Sequence, residues 1–195
     1  MYDYGLFSFS SKDEVLEKAK RYCDILVTGK GISGGLYPIS CVLVNDRSAG
    51  WLREDGFGHM STFGGAELGC VVALGALRIT LRPETRANVE RAARQLGDGL
   101  DAIRQAHPDW FVGVRQDGLV MGLEFAHPEG AKIVMRELYE LGVWAIFSTL
   151  DPRVLQFKPG TLIDEALGDE LLDLMATAIA RTATNAERRD GRGAA

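Results

Sequence analysis

Thr28-Gly29-Lys30-Gly31-Ile32-Ser33-Gly34-Gly35 comes directly after the apolar run Cys23-Asp24-Ile25-Leu26-Val27. A short β-prone run closed by glycine reads as a buried strand over 23–28. Three glycines and a proline between Gly31 and Pro38 give that segment the character of a shaped loop. A lysine where a strand gives way to glycines has two chemical readings. A phosphate-cradling P-loop requires a glycine five positions ahead of its Gly-Lys pair and a Ser or Thr directly after the lysine. Here Gly31 stands after Lys30 and the upstream glycine is missing, so that reading fails. The other reading is an amine that forms an imine with a carbonyl cofactor. That chemistry needs the free amine accessible near neutrality, which burial favours, and backbone room for a flat ring beside it. Glycines at 29, 31, 34 and 35 supply the room. The plain alternative is a surface lysine in a flexible turn.

Working outward, Ser11 with Glu14 forms a capping-box pattern for a helix over 11–22. Residues 37–45 (YPISCVLVN) read as a second strand, and residues 50–65 as a polar, glycine-rich stretch. From Ala66 to Arg82 the pattern is helical, with Gly69, Ala73, Gly75 and Ala76 small enough for close approach of a neighbour. Pro83 opens a second helix through Ala106, with Val89, Ala92, Ala93, Leu96, Leu100 and Ile103 along one face. The period then changes to two, giving an antiparallel pair around Gln116-Asp117-Gly118. A helix over 129–141, strands over 143–148 and 154–157, and an amphipathic helix over 164–184 complete the order. Residues 1–82 thus read as the end of a larger α/β domain and 83–184 as a compact α+β unit, with 185–195 a disordered tail. Two strands with a glycine-rich loop bury their own faces poorly, so the first part expects more protein against it. Self-association through strand edges near Ile25 and Val42 is one expression of that need.

Composition narrows the partners. Of 195 residues, 46% are apolar and 25% charged, the balance of a globular domain with a core of its own. A net charge of −5 weighs against nucleic acid or an anionic membrane as the main partner. No apolar run reaches bilayer-spanning length, and the start Met1-Tyr2-Asp3-Tyr4 carries no secretory pattern. Cys23, Cys41 and Cys70 are odd in number and lack metal-ligand spacing. They read as buried thiols in a reducing compartment, hence a cytoplasmic protein with no metal.

The run 24–38, DILVTGKGISGGLYP, is very similar to the lysine segment of class III aminotransferases, the ornithine, 4-aminobutyrate and omega type. Gly58-His59-Met60-Ser61-Thr62-Phe63-Gly64-Gly65-Ala66-Glu67-Leu68-Gly69-Cys70 resembles the family's second landmark, a Ser-Thr-aromatic-Gly-Gly turn feeding a long helix. The likeness continues to about Thr184. It implies a fold type I pyridoxal-phosphate-dependent transferase, of which this chain carries the carboxy-terminal portion: an incomplete large-domain sheet and an α+β small domain. It further implies a transamination between a primary amine and a keto acid. Lys30 would form the Schiff base and shuttle the proton. Thr62, assisted by Ser61, would bind the cofactor phosphate across a homodimer interface. His59 reads as structural or interfacial rather than catalytic, and His107 and His127, each before a proline, as loop residues.

Two departures qualify the likeness. The aspartate that pairs with the pyridine nitrogen in the family falls at Met1 or earlier. Asp3 is near that place without its motif, and the glycine-rich phosphate loop and ring-stacking aromatic lie further upstream. Second, an arginine that clamps the substrate carboxylate in the family is replaced by Gln156 in Val154-Leu155-Gln156-Phe157-Lys158-Pro159-Gly160. Lys158 and Arg153 are the cations at hand, the alternative for both being solvated charge. The expectation is therefore a half-enzyme that needs a separate amino-terminal partner for activity. A non-catalytic remnant, a regulatory subunit on a full-length relative, and a same-fold aminomutase or lyase remain open alternatives.

Overall fold

The computed structural model describes the backbone of residues 23–190 and the side chains of residues 23–184. The helix expected from Ser11 and Glu14, Asp3, and the final residues 191–195 lie outside them. The chain divides into two compact units, Met1–Arg86 and Ala87–Ala195.

In the first unit, β1 (Ile25–Thr28) and β2 (Cys41–Val44) form a two-stranded antiparallel sheet. Ile25 stands opposite Val44 and Val27 opposite Val42. A short helix, α1 (Gly50–Glu54), precedes a longer one, α2 (Glu67–Thr80). The small-residue face of α2 serves close approach as the sequence suggests. A Cβ added to Gly69 would lie 2.9 Å from the Tyr37 ring, and one added to Gly34 would lie 3.8 Å from Ala76 Cβ. Gly75 differs, since it faces open space.

The strand expected to be buried is not. Val27 is 68% exposed, and Ile25, Val42 and Leu43 are exposed with it. Ala73 is the one buried hydrophobic residue of this unit among the described residues. The cysteines depart from expectation for the same reason: all three are free, Cys23 and Cys70 are exposed and Cys41 is half-buried. Two strands and one supporting helix make too few layers to enclose a side chain on both sides.

The second unit encloses its own core. Helix α3 (Pro83–Ala106) leads into it, its first residues belonging to the first unit. Its buried positions Val89, Ala92, Leu96 and Leu100 recur at helical spacing, with Ala93 and Ile103 packed beside them. Strands β3 (Phe111–Asp117), β4 (Val120–Phe125), β5 (Ile146–Phe147) and β6 (Val154–Phe157) form an antiparallel sheet in the order β3-β4-β6-β5. Met121, Leu123 and Phe125 alternate inward along β4, the period-two signature of a one-sided sheet. Helices α4 (Gly130–Glu140) and α5 (Glu165–Asp190) complete the unit. Val134 and Leu138 of α4, and Met175 and Ile179 of α5, join the same core. Asp164 caps α5, its Oδ1 accepting the Leu167 amide at 2.8 Å. Trp110 donates its indole N–H to Thr182 at 3.0 Å, so the one polar atom of a buried ring is satisfied.

Two boundaries move. The strand expected over 143–148 shrinks to Ile146–Phe147, because the Val143 amide is spent on the Leu138 carbonyl at 2.8 Å, closing α4. The last helix runs to Asp190 rather than Thr184. Ala186, Glu187, Arg188 and Arg189 are strong helix formers, so this part of the expected tail is helical instead.

The contrast between the units sets an expectation for stability. Leu123 is fully buried, so Leu123→Ala should cost about 2–5 kcal/mol. Val27→Ala, at an exposed site, should stay within about 0.5 kcal/mol. Urea unfolding monitored by circular dichroism checks the order; a Val27→Ala effect equal to that of Leu123→Ala contradicts the division of burial described.

Candidate active site

Strand β1 ends at Thr28, Gly29 is extended, and a 3-10 helical turn runs over Lys30–Ser33. Lys30 has φ +48°, the one positive φ at a non-glycine residue among the described residues. The left-handed region brings Cβ against the next carbonyl, at a cost of about 1–2 kcal/mol. Backbone strain of this kind persists where the surroundings over-determine it, and it clusters at functional sites. Here the hold is polar. Ile32 donates its amide to the Gly29 carbonyl at 3.1 Å and Gly34 to the Gly31 carbonyl at 3.0 Å. Ser33 is completely buried, and its hydroxyl donates to the Tyr37 carbonyl at 2.5 Å. Gly34 and Gly35, at φ +63° and +80°, let the chain turn back, and a Cβ on Gly35 would meet nothing within 4 Å.

The Lys30 side chain is exposed, and its amine makes no hydrogen bond or ion pair among the described residues. The burial that imine chemistry favours is therefore not supplied by the described part of the first unit.

Ser61 and Thr62 also belong to the first unit. They sit in a turn in which Gly64 donates its amide to the Ser61 carbonyl at 3.3 Å and Ala66 to the Phe63 carbonyl at 3.2 Å. Both side chains are exposed, as is every residue of 51–65. The N–H groups of Thr62, Phe63 and Gly65 make no hydrogen bond among the described residues, and α2 begins at Glu67. Two hydroxyls and open amides before a fourteen-residue helix are groups able to donate hydrogen bonds to an anion. No hydrogen bond among the described residues joins this turn to the lysine turn. His59 packs edge-on to Trp51, with ring centroids 6.4 Å apart, and both residues are exposed.

Gln156 and Lys158 lie on β6 and just past it, in the second unit. The structure joins them to each other: the Lys158 ammonium donates to Gln156 Oε1, while Gln156 Nε2 reaches the Phe147 carbonyl at 3.4 Å. Arg153 is engaged by carboxylates of its own unit. It pairs with Asp151 at 3.0 Å and with Glu124 at 3.3 Å, and Arg115 also approaches Glu124 at 3.6 Å. The Arg153 hydrogen bonds hold the Asp151 carboxyl below its ordinary range. Ser33 and Tyr37 went unremarked in the sequence. The signal available was a hydroxyl three residues after the lysine, flanked by Ile32 and Leu36 with no other polar side chain between.

A family model described as aminotransferase class-III matches residues 16–179. The chain belongs to the class-III aminotransferase family. An uncharacterized aminotransferase of Archaeoglobus fulgidus is 34% identical over 164 residues, covering 84% of this chain and 38% of that protein. The acetylornithine aminotransferase of Rhodobacter capsulatus is 32% identical over 158 residues, covering 81% and 37%. Among solved structures, the ornithine aminotransferase of Toxoplasma gondii superposes with a TM-score of 0.72 at 28% identity, over 85% of this chain and 38% of that one. A transaminase from the marine bacterium Virgibacillus gives a TM-score of 0.75 at 24% identity, over 83% and 40%, and speaks for the fold alone. The fold is thus part of a fold type I pyridoxal-phosphate-dependent transferase, and the chain spans about two fifths of the length of the curated relatives it matches.

The class-III family implies pyridoxal phosphate. The residues present fit it in part: an accessible amine among glycines, where Gly35 leaves open space, and a hydroxyl-and-amide turn for a phosphate. No helix among the described residues is long and apolar enough to cross a membrane.

The Asp151 carboxyl offers a direct check on the ionic cluster of the second unit. Because its titration is lowered by the Arg153 hydrogen bonds, its stabilising contribution is complete above the ordinary carboxylate range. That contribution is lost as pH falls through the depressed value. Arg153→Ala should return the Asp151 titration, tracked by NMR, toward the ordinary range near 3.8. An unchanged Asp151 curve would show that Arg153 does not hold it.

Proposed function

We propose that this chain is the carboxy-terminal half of a class-III aminotransferase site that moves an amino group between a primary amine and a keto acid. Lys30 would hold pyridoxal phosphate covalently, and Thr62 and Ser61 would bind its phosphate. The observation that carries this reading is Lys30 itself, a lysine kept in left-handed backbone at the end of β1 with its amine uncommitted among the described residues. Bound there, the cofactor supplies an electron sink for the carbon that bears the substrate amine. Lys30 Nζ accepts and returns the proton at that carbon. Thr62 Oγ1, Ser61 Oγ and the neighbouring amides would hold the cofactor phosphate across the pairing with a second copy.

Completion of the site belongs to protein that matches the remaining length of the relatives. The exposed apolar sheet of the first unit supports this, because Ile25, Val27 and Val42 present a hydrophobic face that another layer would bury. The exposure of Lys30 points the same way: its cover has to come from elsewhere. Pairing with a second copy suits the exposed turn at Thr62, which is accessible to a neighbouring subunit. Gln156 in the place of a carboxylate-clamping arginine, with Arg153 already paired, supports an amine substrate held with less help at its carboxylate than an α-amino acid receives. Three free thiols, two of them exposed, suit the reducing cytoplasm.

The test is to incubate the purified chain with pyridoxal phosphate, reduce with borohydride, and map the adduct by peptide mass spectrometry. A single phosphopyridoxyl group on Lys30, absent after Lys30→Ala, is the expected result. Thr62→Ala should weaken cofactor binding roughly tenfold to a hundredfold, the loss of one hydrogen bond to a charged group. Labelling scattered over other lysines, with Lys30 no more reactive than they are, would sink the reading.

A further inference from the structure

We propose that Ser33 is a positioning residue for Lys30: its buried hydroxyl, bonded to the Tyr37 carbonyl, locks the turn that holds the lysine in left-handed backbone and so aims its amine. The inference rests on Lys30 being the cofactor lysine. Lys30 and Ser33 are the first and last residues of one 3-10 turn, so a displacement of one end is passed to the other. Ser33 is fully buried, unlike any other polar residue of the lysine loop, and its oxygen is engaged at 2.5 Å.

Beyond that hydrogen bond the linkage continues into a helix. The Tyr37 ring lies so close to Gly69 of α2 that a Cβ there would stand 2.9 Å from it, with Ile39 Cδ1 at 3.3 Å. The lysine turn is therefore tied through Ser33 and Tyr37 to the longest helix lying wholly within the first unit among the described residues. Apolar packing contributes little to that hold, since Ala73 is the only buried hydrophobic side chain of the unit among the described residues. A strained lysine relaxes toward ordinary backbone when its constraints are removed, and the direction of its Cα–Cβ bond changes with φ. The hydroxyl is the polar constraint nearest to it that a substitution can delete without touching the backbone.

Two measurements on the full chain test this, one of them independent of cofactor. Amide hydrogen exchange reads the hydrogen bonds of Ile32 and Gly34, which close the turn. Ser33→Ala and the near-isosteric Ser33→Cys should each speed exchange at these amides roughly fivefold, the worth of one net hydrogen bond, while the β4 amides stay unchanged. Borohydride labelling of Lys30 by pyridoxal phosphate should fall by a similar factor in both variants. Ile39→Val is the matched control, because it trims the same contact with Gly69 and leaves the hydroxyl in place; its labelling should equal that of the wild type. The proposal is overturned if exchange at Ile32 and Gly34 is unaffected by either Ser33 variant, or if Ile39→Val lowers Lys30 labelling as much as they do. Failure of the wild-type chain to label at Lys30 would count against the cofactor reading instead, and the exchange measurement would still decide whether Ser33 holds the turn.

Discussion

A two-stranded sheet has two faces to cover, and the described part of the first unit has one helix of any length with which to cover them. Much else in that unit stems from this shortage of layers. Val27 and Val42 stand opposite each other in open solvent, and Cys23 and Cys70 are exposed with them. Hydrophobic burial, the main source of stability in a folded domain, is almost unavailable there. Hydrogen bonds in turns and the close seat of Gly69 under Tyr37 hold the local structure instead. The second unit is built on the opposite terms. Its core, drawn from residues 89–183, fills both the inner face of a four-stranded sheet and the helices against it.

The chemistry-bearing residues sit where burial is least. Lys30 and the Ser61-Thr62 turn are exposed in the underpacked unit, and each has one nearby glycine that faces open space, Gly35 and Gly65. On the proposed reading such surfaces are half of a site. A lysine that is to react with a carbonyl cofactor, and a hydroxyl turn that is to meet a phosphate, must face the place where those groups arrive. The well-packed unit carries Gln156, Lys158 and Arg153 on or beside one strand, and there the polar groups are already paired among themselves.

Periodicity made the second unit readable from its residues. The stripe Val89, Ala92, Leu96, Leu100 in α3 and the alternation Met121, Leu123, Phe125 in β4 each have a single face to satisfy, so sequence and burial agree. Strand β1 misled for a physical reason: Ile25-Leu26-Val27 is written for a sheet buried on both sides, and the residues that would bury it are not among those described. Strand β5 was expected over 143–148, and its late start was not legible, because the Val143 amide is bonded to the Leu138 carbonyl. At the site, Lys30 and Thr62 stood out through their neighbours. Ser33 did not, since nothing in residue type distinguishes a buried hydroxyl from one at the tip of a loop.

Left-handed backbone at Lys30 sets the interests of folding against those of chemistry. Glycine would occupy that φ without steric cost, and asparagine nearly so, whereas lysine sits there at the expense of the fold. On the proposed reading, what offsets that cost is the chemistry of the amine and not any gain to the fold. A selection for stability alone, with no demand on the amine, would drift toward Lys30→Gly and an unbroken run of glycines from 29 to 31. Under the proposed role of Lys30, the residue at position 30 answers to chemistry and not to architecture.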